Sequence, residues 1–304
     1  MAGQSRNPFS FTRIALSART QARNHYLPLK RLPANRHHSG FTLVELLTVL
    51  AILIILVGLM LPALAKSQPV SRAFVCSNNL KQLMAAVHFY AAENRDWLPP
   101  NLNDGSYGNW VSGSMSKGSD ATNVAFLTNA SYSLLAAYTG SAANLYHCPA
   151  DPSSVTLGGK VYPRSRSVSM NGAVGTLKGV KAPVFGNWLT GSPGGGSYSN
   201  WRTFGRLSDM VGPTPGMLYV LADEDPTSIN DGVLEGVMAL PRWVDFPATY
   251  HNFGGSFGFG DGHVEVHLWM DASTKCPSPP VRVDVTGSTN DITWLQKRMS
   301  AAIQ

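Results

Sequence analysis

The chain has 304 residues, of which 44% are hydrophobic and 10% are aromatic. This composition excludes wholesale disorder, and the length suits a membrane anchor with one large domain or two small ones. Residues 1–40 carry seven basic side chains and no acidic one, whereas the rest of the chain has 17 basic and 18 acidic side chains. The body therefore lacks the basic field that nucleic-acid binding requires, and that class of function is excluded.

An apolar segment follows the basic one. Residues 41–61 are interrupted by only four small or polar side chains, which are Thr42, Glu45, Thr48 and Gly58. As a helix, these 21 residues would extend about 32 Å, enough to cross a bilayer core. Because the basic charge precedes the span, we expect a single-pass membrane protein with residues 1–40 in the cytoplasm and the body outside.

Glu45 is the one carboxylate in this span. Such a group costs on the order of a few kcal/mol unless it lies near the interface or has a partner. In one interpretation the side chain sits about 6 Å deep and reaches back to water. In the other, which the local sequence favours, the carboxylate is kept for a positive partner within an assembly.

The start of the apolar segment carries a recognisable motif. It reads Gly40-Phe41-Thr42-Leu43-Val44-Glu45-Leu46-Leu47 after a basic leader. This resembles the type IV pilins and type II secretion pseudopilins, in which Gly precedes a Phe and Glu is the fifth mature residue. Pro62 falls at the twenty-second mature position, where the family often has proline. The resemblance implies cleavage after Gly40 by a prepilin peptidase, methylation of Phe41, and assembly with other pilin or pseudopilin subunits on an inner-membrane platform.

The resemblance also implies an α+β, pilin-like fold, with a long N-terminal helix packed on a largely antiparallel sheet. We divide the chain into a basic leader that is removed (1–40), a transmembrane and assembly helix (41–62), an amphipathic stalk helix (63–97) and an extracytoplasmic α+β head (98–304). An apolar stripe supports the stalk helix, since apolar residues recur there every three or four positions: Cys76, Leu80, Leu83, Val87 and Tyr90. We expect Pro62 and Pro69 to loosen or kink the join between the two helices.

In the head, Met217–Ala222 is the best candidate for a central strand. An Asp-Gly pair between two alternating runs predicts a hairpin with a two-residue turn at Asp261-Gly262. That turn would place Phe257 opposite Val266, with the aromatic residues on one face and the histidines on the other. A last helix is expected from Asn290 onward, with Asp291 as its N-cap.

The hairpin belongs to a second resemblance. His251 is followed by nine residues and then Asp261-Gly262. This pattern is similar to a C-terminal signature of pilin-like proteins of diderm bacteria, which gives the head no activity. By itself Asp261 is most simply a turn residue.

Three cysteines are present: Cys76, Cys148 and Cys276. An extracytoplasmic location permits disulfides, so a Cys76–Cys148 pair with Cys276 left over stands against three unpaired thiols. No Cys-x-x-Cys pair occurs, which argues against zinc.

Two other groups are candidate metal ligands. His263 and His267 lie four residues apart on a strand, about 13 Å, too far to share one ion. For His251, we favour a hydrogen bond to a loop or to the Asp-Gly turn. Asp223, Asp225 and Asp231 are candidates for calcium, the one cofactor considered, against the favoured interpretation of a solvated acidic loop.

The sequence contains none of the common catalytic or nucleotide-binding fingerprints, so no enzyme activity is predicted. The leading hypothesis is a structural subunit, either pseudopilin or minor pilin, of a type II secretion or type IV pilus-like filament. The alternative is a membrane-anchored extracytoplasmic domain that binds, and in one variant hydrolyses, a ligand such as a glycan.

Overall fold

The computed structural model describes residues 40–193, 200–278 and 282–303, without the side chains of 61–69. The expected leader therefore lies outside the described residues, except for Gly40. The chain divides into two compact units, with the boundary after Ile55 inside the first helix. The fold is α+β, as predicted, and combines a long N-terminal helix with sheets that are largely antiparallel.

Helix α1 extends over Leu43–Glu93. Its window Leu43–Met60 is long and apolar enough to cross a membrane, and none of that window is buried. The helical assignment continues through Pro62 and Pro69, so the helix is not interrupted where the sequence predicted a loosened join.

The second half of α1 uses the predicted stripe to pack on the head. Cys76, Leu80, Leu83 and Val87 are buried, and Tyr90 is half-buried. Leu80, Leu83 and Val87 belong to the same apolar core as the strands of the main sheet. The predicted amphipathic helix is therefore confirmed.

The main sheet has five strands in the spatial order β5-β3-β4-β7-β8. Pairing is antiparallel except between β3 and β5. The strands of the protein are β1 Ser154–Leu157, β2 Lys160–Pro163, β3 Val168–Asn171, β4 Tyr219–Asp223, β5 Val233–Leu234, β6 Arg242–Trp243, β7 Gly254–Phe259, β8 Val264–Leu268 and β9 Val283–Asp284. Every residue of β4 is buried, which confirms the predicted central strand. The pairs β1–β2 and β6–β9 form two small antiparallel sheets.

The described part of the chain has three further helices, α2 (Gly118–Ala121), α3 (Ala125–Thr128) and α4 (Asn290–Met299), and 3-10 turns connect other segments. Helix α4 confirms the predicted last helix, but its N-cap is Thr289 and not Asp291. The buried Asp291 carboxylate instead accepts hydrogen bonds from the backbone of Met270 and Asp271. It fixes the chain after β8 against the start of the helix.

The hairpin of β7 and β8 exists, but its predicted register is wrong by one residue. Phe257 lies opposite Glu265, and the Phe259 amide bonds to the His263 carbonyl. The connection therefore has three residues, 260–262, and Gly262 takes the positive φ of 90° that a bulged three-residue loop needs.

A one-residue shift exchanges the faces of a strand. His263 stacks on Phe259 with ring centroids 4.3 Å apart, and His267 stacks on Trp294 of α4 at 3.8 Å. The histidines thus share a face with the aromatic residues. The other face meets α1 so closely at Gly258 that an added Cβ would lie 2.6 Å from Met84 Cγ.

Candidate functional site

The first functional region is the start of α1. The backbone N–H and the hydroxyl of Thr42 both donate hydrogen bonds to Glu45 Oε2 at 2.8 Å. In return, the Glu45 backbone N–H donates to Thr42 Oγ1 at 3.2 Å. This is a capping box, which satisfies two of the free N–H groups that every helix start leaves. Sequence reasoning misses this role of Thr42, although Thr-x-x-Glu before an apolar run is its signal.

Residues on either side of the expected cleavage point are accessible. Gly40 lies outside regular structure, and within residues 40–303 as described no other group comes within 4 Å of the position of an added Cβ. Phe41 is 76% exposed. The side chain of Pro62 is outside the description, so its assembly role stays a prediction.

The second region is a buried cluster in the head, which we call the four-residue cluster: Cys76, Cys148, Asp223 and His251. Helix α1 supplies Cys76, and a turn after the 3-10 helix Ala143–Tyr146 supplies Cys148. Asp223 ends strand β4, and His251 precedes β7. One candidate ligand atom from each side chain lies within 4.8 Å of the other three.

Hydrogen bonds connect the four side chains. The Cys76 thiol donates to Asp223 Oδ2 at 2.8 Å. His251 Nε2 lies 3.4 Å from Cys148 Sγ and 3.5 Å from the same Asp223 oxygen. All four residues are buried, with at most 3% of their surface exposed. The imidazole, the carboxylate and both sulfur atoms therefore converge on one point away from solvent.

The contacts within the four-residue cluster also shift the pKa values of its side chains. The neighbouring Cys76 thiol lowers the pKa of Cys148 to about 7, and the same contact, with burial and the nearby Asp223 carboxylate, raises the pKa of Cys76 well above its usual value. Burial lowers the pKa of His251, but hydrogen bonds to Asp223 and Cys148 outweigh it and raise that pKa to about 9. Thiolate character therefore concentrates on Cys148, beside a cationic imidazole.

The structure settles where the predicted ligands lie. It brings Cys76 and Cys148 together, as the predicted pair requires, but both are free thiols, and so is Cys276 outside the cluster. His251 Nε2 contacts Cys148, which lies in a loop, and not the Asp261-Gly262 turn, so of the two favoured hydrogen bonds only the one to a loop agrees with the structure. Asp261 is the expected turn residue, and its Oδ1 accepts from the His263 backbone at 3.0 Å.

The three carboxylates proposed for calcium do not converge. Asp223 joins the four-residue cluster, while Asp225 Oδ1 accepts from the Thr227 backbone and Asp231 Oδ1 from the Val233 backbone. All but Asp231 are buried, so the Asp223–Asp225 segment is not the solvated loop that the sequence favoured. Calcium stays a prediction that the geometry of the described residues does not support.

A third feature is an open acidic pocket of about 570 Å³. Its lining includes Trp188, Arg282 and three carboxylate residues, which are Asp231, Glu235 and Asp245. The Arg282 guanidinium stacks 4.1 Å from the Trp188 ring centroid. Burial raises the pKa of Asp231 to about 6 and of Asp245 to about 8, and it raises the pKa of Glu235 well above its usual range.

Comparison with known proteins bears on the first region. The family model for the prokaryotic N-terminal methylation motif matches residues 35–61. The chain is also similar to competence protein ComGC of Halalkalibacterium halodurans, with 41% identity over 66 residues. That alignment covers 22% of this chain and 64% of the relative, less than two thirds of its length. No solved structure matches the chain.

These matches define a class: proteins with a prepilin-type methylation segment leading into one apolar helix. Together with the α+β fold, they agree with the resemblance found in the sequence: residues 35–61 form a prokaryotic N-terminal methylation motif, and the chain is similar over 66 residues to a competence protein.

Proposed function

We propose that the chain is a structural subunit, a pseudopilin or minor pilin, of a type IV pilus-like or type II secretion filament. The observation that carries this proposal is the position of Gly40-Phe41 directly before a helix whose first 18 residues are apolar and unburied. A helix with that much unpartnered apolar surface needs lipid or other helices around it. A filament subunit uses both environments in turn.

The first step is processing. A prepilin peptidase at the cytoplasmic face would cleave after Gly40 and methylate the new amine of Phe41. The accessible, irregular backbone at Gly40 supports this step, because a protease must bind its substrate in an extended form. The head would then stand in the periplasm, on the side opposite the basic leader.

The second step is assembly. On an inner-membrane platform, the apolar part of α1 would leave the lipid and pack against the same helices of other subunits. Glu45 then moves from the bilayer edge into a protein environment, where a carboxylate needs compensation. The amine of mature Phe41, either in the same subunit or in a neighbouring one, supplies that positive charge. The capping box at Thr42 holds the carboxylate at this end of the helix.

The test combines two measurements on cells that express the chain with its native partners. Mass spectrometry of the mature N-terminus should find a methylated Phe41, and sheared filaments should contain the processed chain. If cells show no surface filament, and if protein secretion that depends on this chain stops when an outer-membrane secretin is deleted, the result would favour a secretion system over a pilus. A processed chain that never leaves the membrane fraction would contradict the filament role.

A second candidate function has one specific observation in its favour, the acidic pocket. Its volume of about 570 Å³ suits a small ligand. Trp188 holds a positive φ of 73°, a conformation that costs free energy for a non-glycine residue and is often kept at binding sites. An aromatic face beside several carboxylates suits a glycan, and a carboxyl group held protonated, as at Glu235, suits hydrolysis.

Binding of neutral oligosaccharides to the full-length chain in detergent tests this candidate. Trp188→Ala should abolish binding, while Trp97→Ala, an aromatic residue that does not line the pocket, should leave it intact. If neither the wild type nor the Trp188 variant binds oligosaccharides, and both enter filaments equally, the glycan-binding candidate is refuted and the structural role is retained.

A further inference from the structure

We propose that the four-residue cluster binds one zinc ion, and that this ion fastens helix α1 to the head. The proposal is independent of filament assembly, because it concerns side chains within the head and the half of α1 that packs on it.

The donor set selects the metal. Two sulfur atoms, one imidazole nitrogen and one carboxylate oxygen are ligands of zinc, whereas calcium and magnesium take six or more oxygens. Four protein ligands complete a tetrahedron and leave no position for a substrate or water. The burial of all four side chains fits such a closed, structural site.

The spacing of the donors agrees with this geometry. Bonds of 2.0–2.3 Å to a tetrahedral zinc place neighbouring ligand atoms about 3.3–3.8 Å apart. The separations of His251 Nε2 from Cys148 Sγ (3.4 Å) and from Asp223 Oδ2 (3.5 Å) fall in this range. The shorter 2.8 Å between Cys76 and Asp223 is a hydrogen bond, whose proton would pass to solvent as the thiolate binds the metal.

The surroundings favour ionised ligands. The Ala150 backbone N–H donates to Cys148 Sγ at 3.4 Å, and hydrogen bonds of this kind stabilise a metal-bound thiolate. Asp223 Oδ1 is buried without a hydrogen-bond partner among the described residues. A buried carboxylate with an unpaired oxygen costs free energy unless a positive charge lies beside it, and a zinc ion provides that charge.

A Cys76–Cys148 disulfide is the competing use of the same cysteines. Oxidation would remove the thiol proton that Asp223 accepts and leave this carboxylate with only His251. A disulfide also has no need of an imidazole and a carboxylate aimed at it. Zinc uses all four side chains, which is why we prefer it.

The ion would act as a cross-link. Cys76 lies on α1, and the other three ligands come from the head, 72 to 175 positions further along the chain. Closing loops of that size restricts the unfolded chain and holds the helix in one register against the sheet.

The experiment measures metal in the full-length chain, purified in detergent from cells grown with zinc and passed through a desalting column. Elemental analysis should give about one zinc per chain for wild type and less than a tenth for Cys148→Ser and His251→Ala. Two matched controls, Cys276→Ser and His263→Ala, alter a cysteine and a histidine outside the cluster and should keep one zinc.

A second measurement does not depend on the folding of variants. The wild type is denatured without reductant and alkylated, with and without prior chelation. If zinc binds the two cluster cysteines and so protects them from oxidation, all three cysteines should be alkylated and no disulfide should be found. When cobalt replaces zinc, the chain should also show the absorption of a thiolate-to-metal bond. A Cys76–Cys148 disulfide, a wild type that stays metal-free after incubation with zinc, or zinc retained by both cluster variants would overturn the proposal.

Discussion

Cys76 and Asp223, 147 residues apart in the chain, are joined by a hydrogen bond of 2.8 Å between the thiol and Oδ2. One residue lies on helix α1 and the other at the end of the central strand β4, and both are buried. The bond is therefore a buried polar contact between the helix and the sheet. Its loss leaves a carboxylate short of a donor where no water can replace it.

We expect Cys76→Ala to lower the stability of the head by about 1–3 kcal/mol even when the chain is free of metal. Cys276→Ala is the matched control, because that thiol is half-buried and, among the residues that the structure describes, donates to the neighbouring Pro277 carbonyl and not to a carboxylate. Thermal unfolding of the detergent-solubilised chain, followed by tryptophan fluorescence, gives the comparison. Equal midpoints for the two variants would contradict a role for the Cys76–Asp223 bond.

The packing of α1 on the sheet predicts a contrast between two positions of the same helix. Leu83 is fully buried in the core, and Leu83→Ala should cost about 2–5 kcal/mol. Phe89 is 61% exposed, and Phe89→Ala should change the stability of the isolated subunit by less than about 0.5 kcal/mol. Chemical denaturation of both variants measures the difference. A larger loss for Phe89→Ala would mean that the helix presents another face to the head.

That stripe was predictable because amphipathic periodicity depends only on residues close together in sequence. The central strand and the last helix were predictable for the same reason. The hairpin register was not, since Asp261-Gly262 is compatible with a two-residue turn and with a bulged three-residue loop. The choice depends on the contacts that both faces make, with Met84 on one side and Trp294 on the other.

The four-residue cluster escaped prediction for a different reason. Zinc was argued against because no two cysteines lie close together in the sequence, yet the fold gathers one ligand from each of four separate segments. The cysteine count singles out Cys76 and Cys148, and the second resemblance singles out His251, but nothing in the sequence connects the three. Only the pairing of α1, β4 and β7 in space does so.

The acidic pocket predicts a dependence of stability on pH. Burial raises the pKa of Asp245 to about 8, from an ordinary value of 3.8 in the unfolded chain. The folded state thus holds a proton that the unfolded state releases, and stability should fall as pH rises between about 4 and 8, by at most about 1.4 kcal/mol per pH unit. Asp245→Asn should flatten this decline.

Asp284→Asn is the control for that series. The contact with Arg242 lowers the pKa of Asp284, so its contribution to stability is present above the unfolded pKa and disappears only as pH falls further. This variant should keep the wild-type slope between pH 5 and 8. A wild-type slope in Asp245→Asn over the same window would show that other groups cause the pH dependence.

Processing gives a prediction about Gly40. Replacing it with a bulky residue, as in Gly40→Leu, should leave the unprocessed precursor in the membrane, because the peptidase must accommodate this position at the cleavage point. Immunoblotting against the wild type measures the size difference. Gly58→Leu is a matched control within the apolar helix and should be processed normally. Normal cleavage of Gly40→Leu would contradict the assignment of the cleavage point.

Glu45 separates assembly from simple anchoring. In an anchor the carboxylate is only a cost, so Glu45→Leu should be neutral or should improve retention in the membrane, apart from the lost cap. In a filament it offsets the buried amine of Phe41, and its loss should remove the subunit from sheared filaments although Gly40 is still cleaved.

Because Glu45 also caps the helix, Glu45→Gln is the decisive companion variant. Its amide oxygen can still accept the Thr42 bonds, so the cap is retained while the charge is lost. If charge compensation matters, Glu45→Gln should fail to assemble as Glu45→Leu does, and if only the cap matters, it should assemble like wild type. The amount of each processed variant in sheared filaments, relative to its amount in membranes, decides between the two. Incorporation of both variants at the wild-type level would refute any assembly role for this carboxylate.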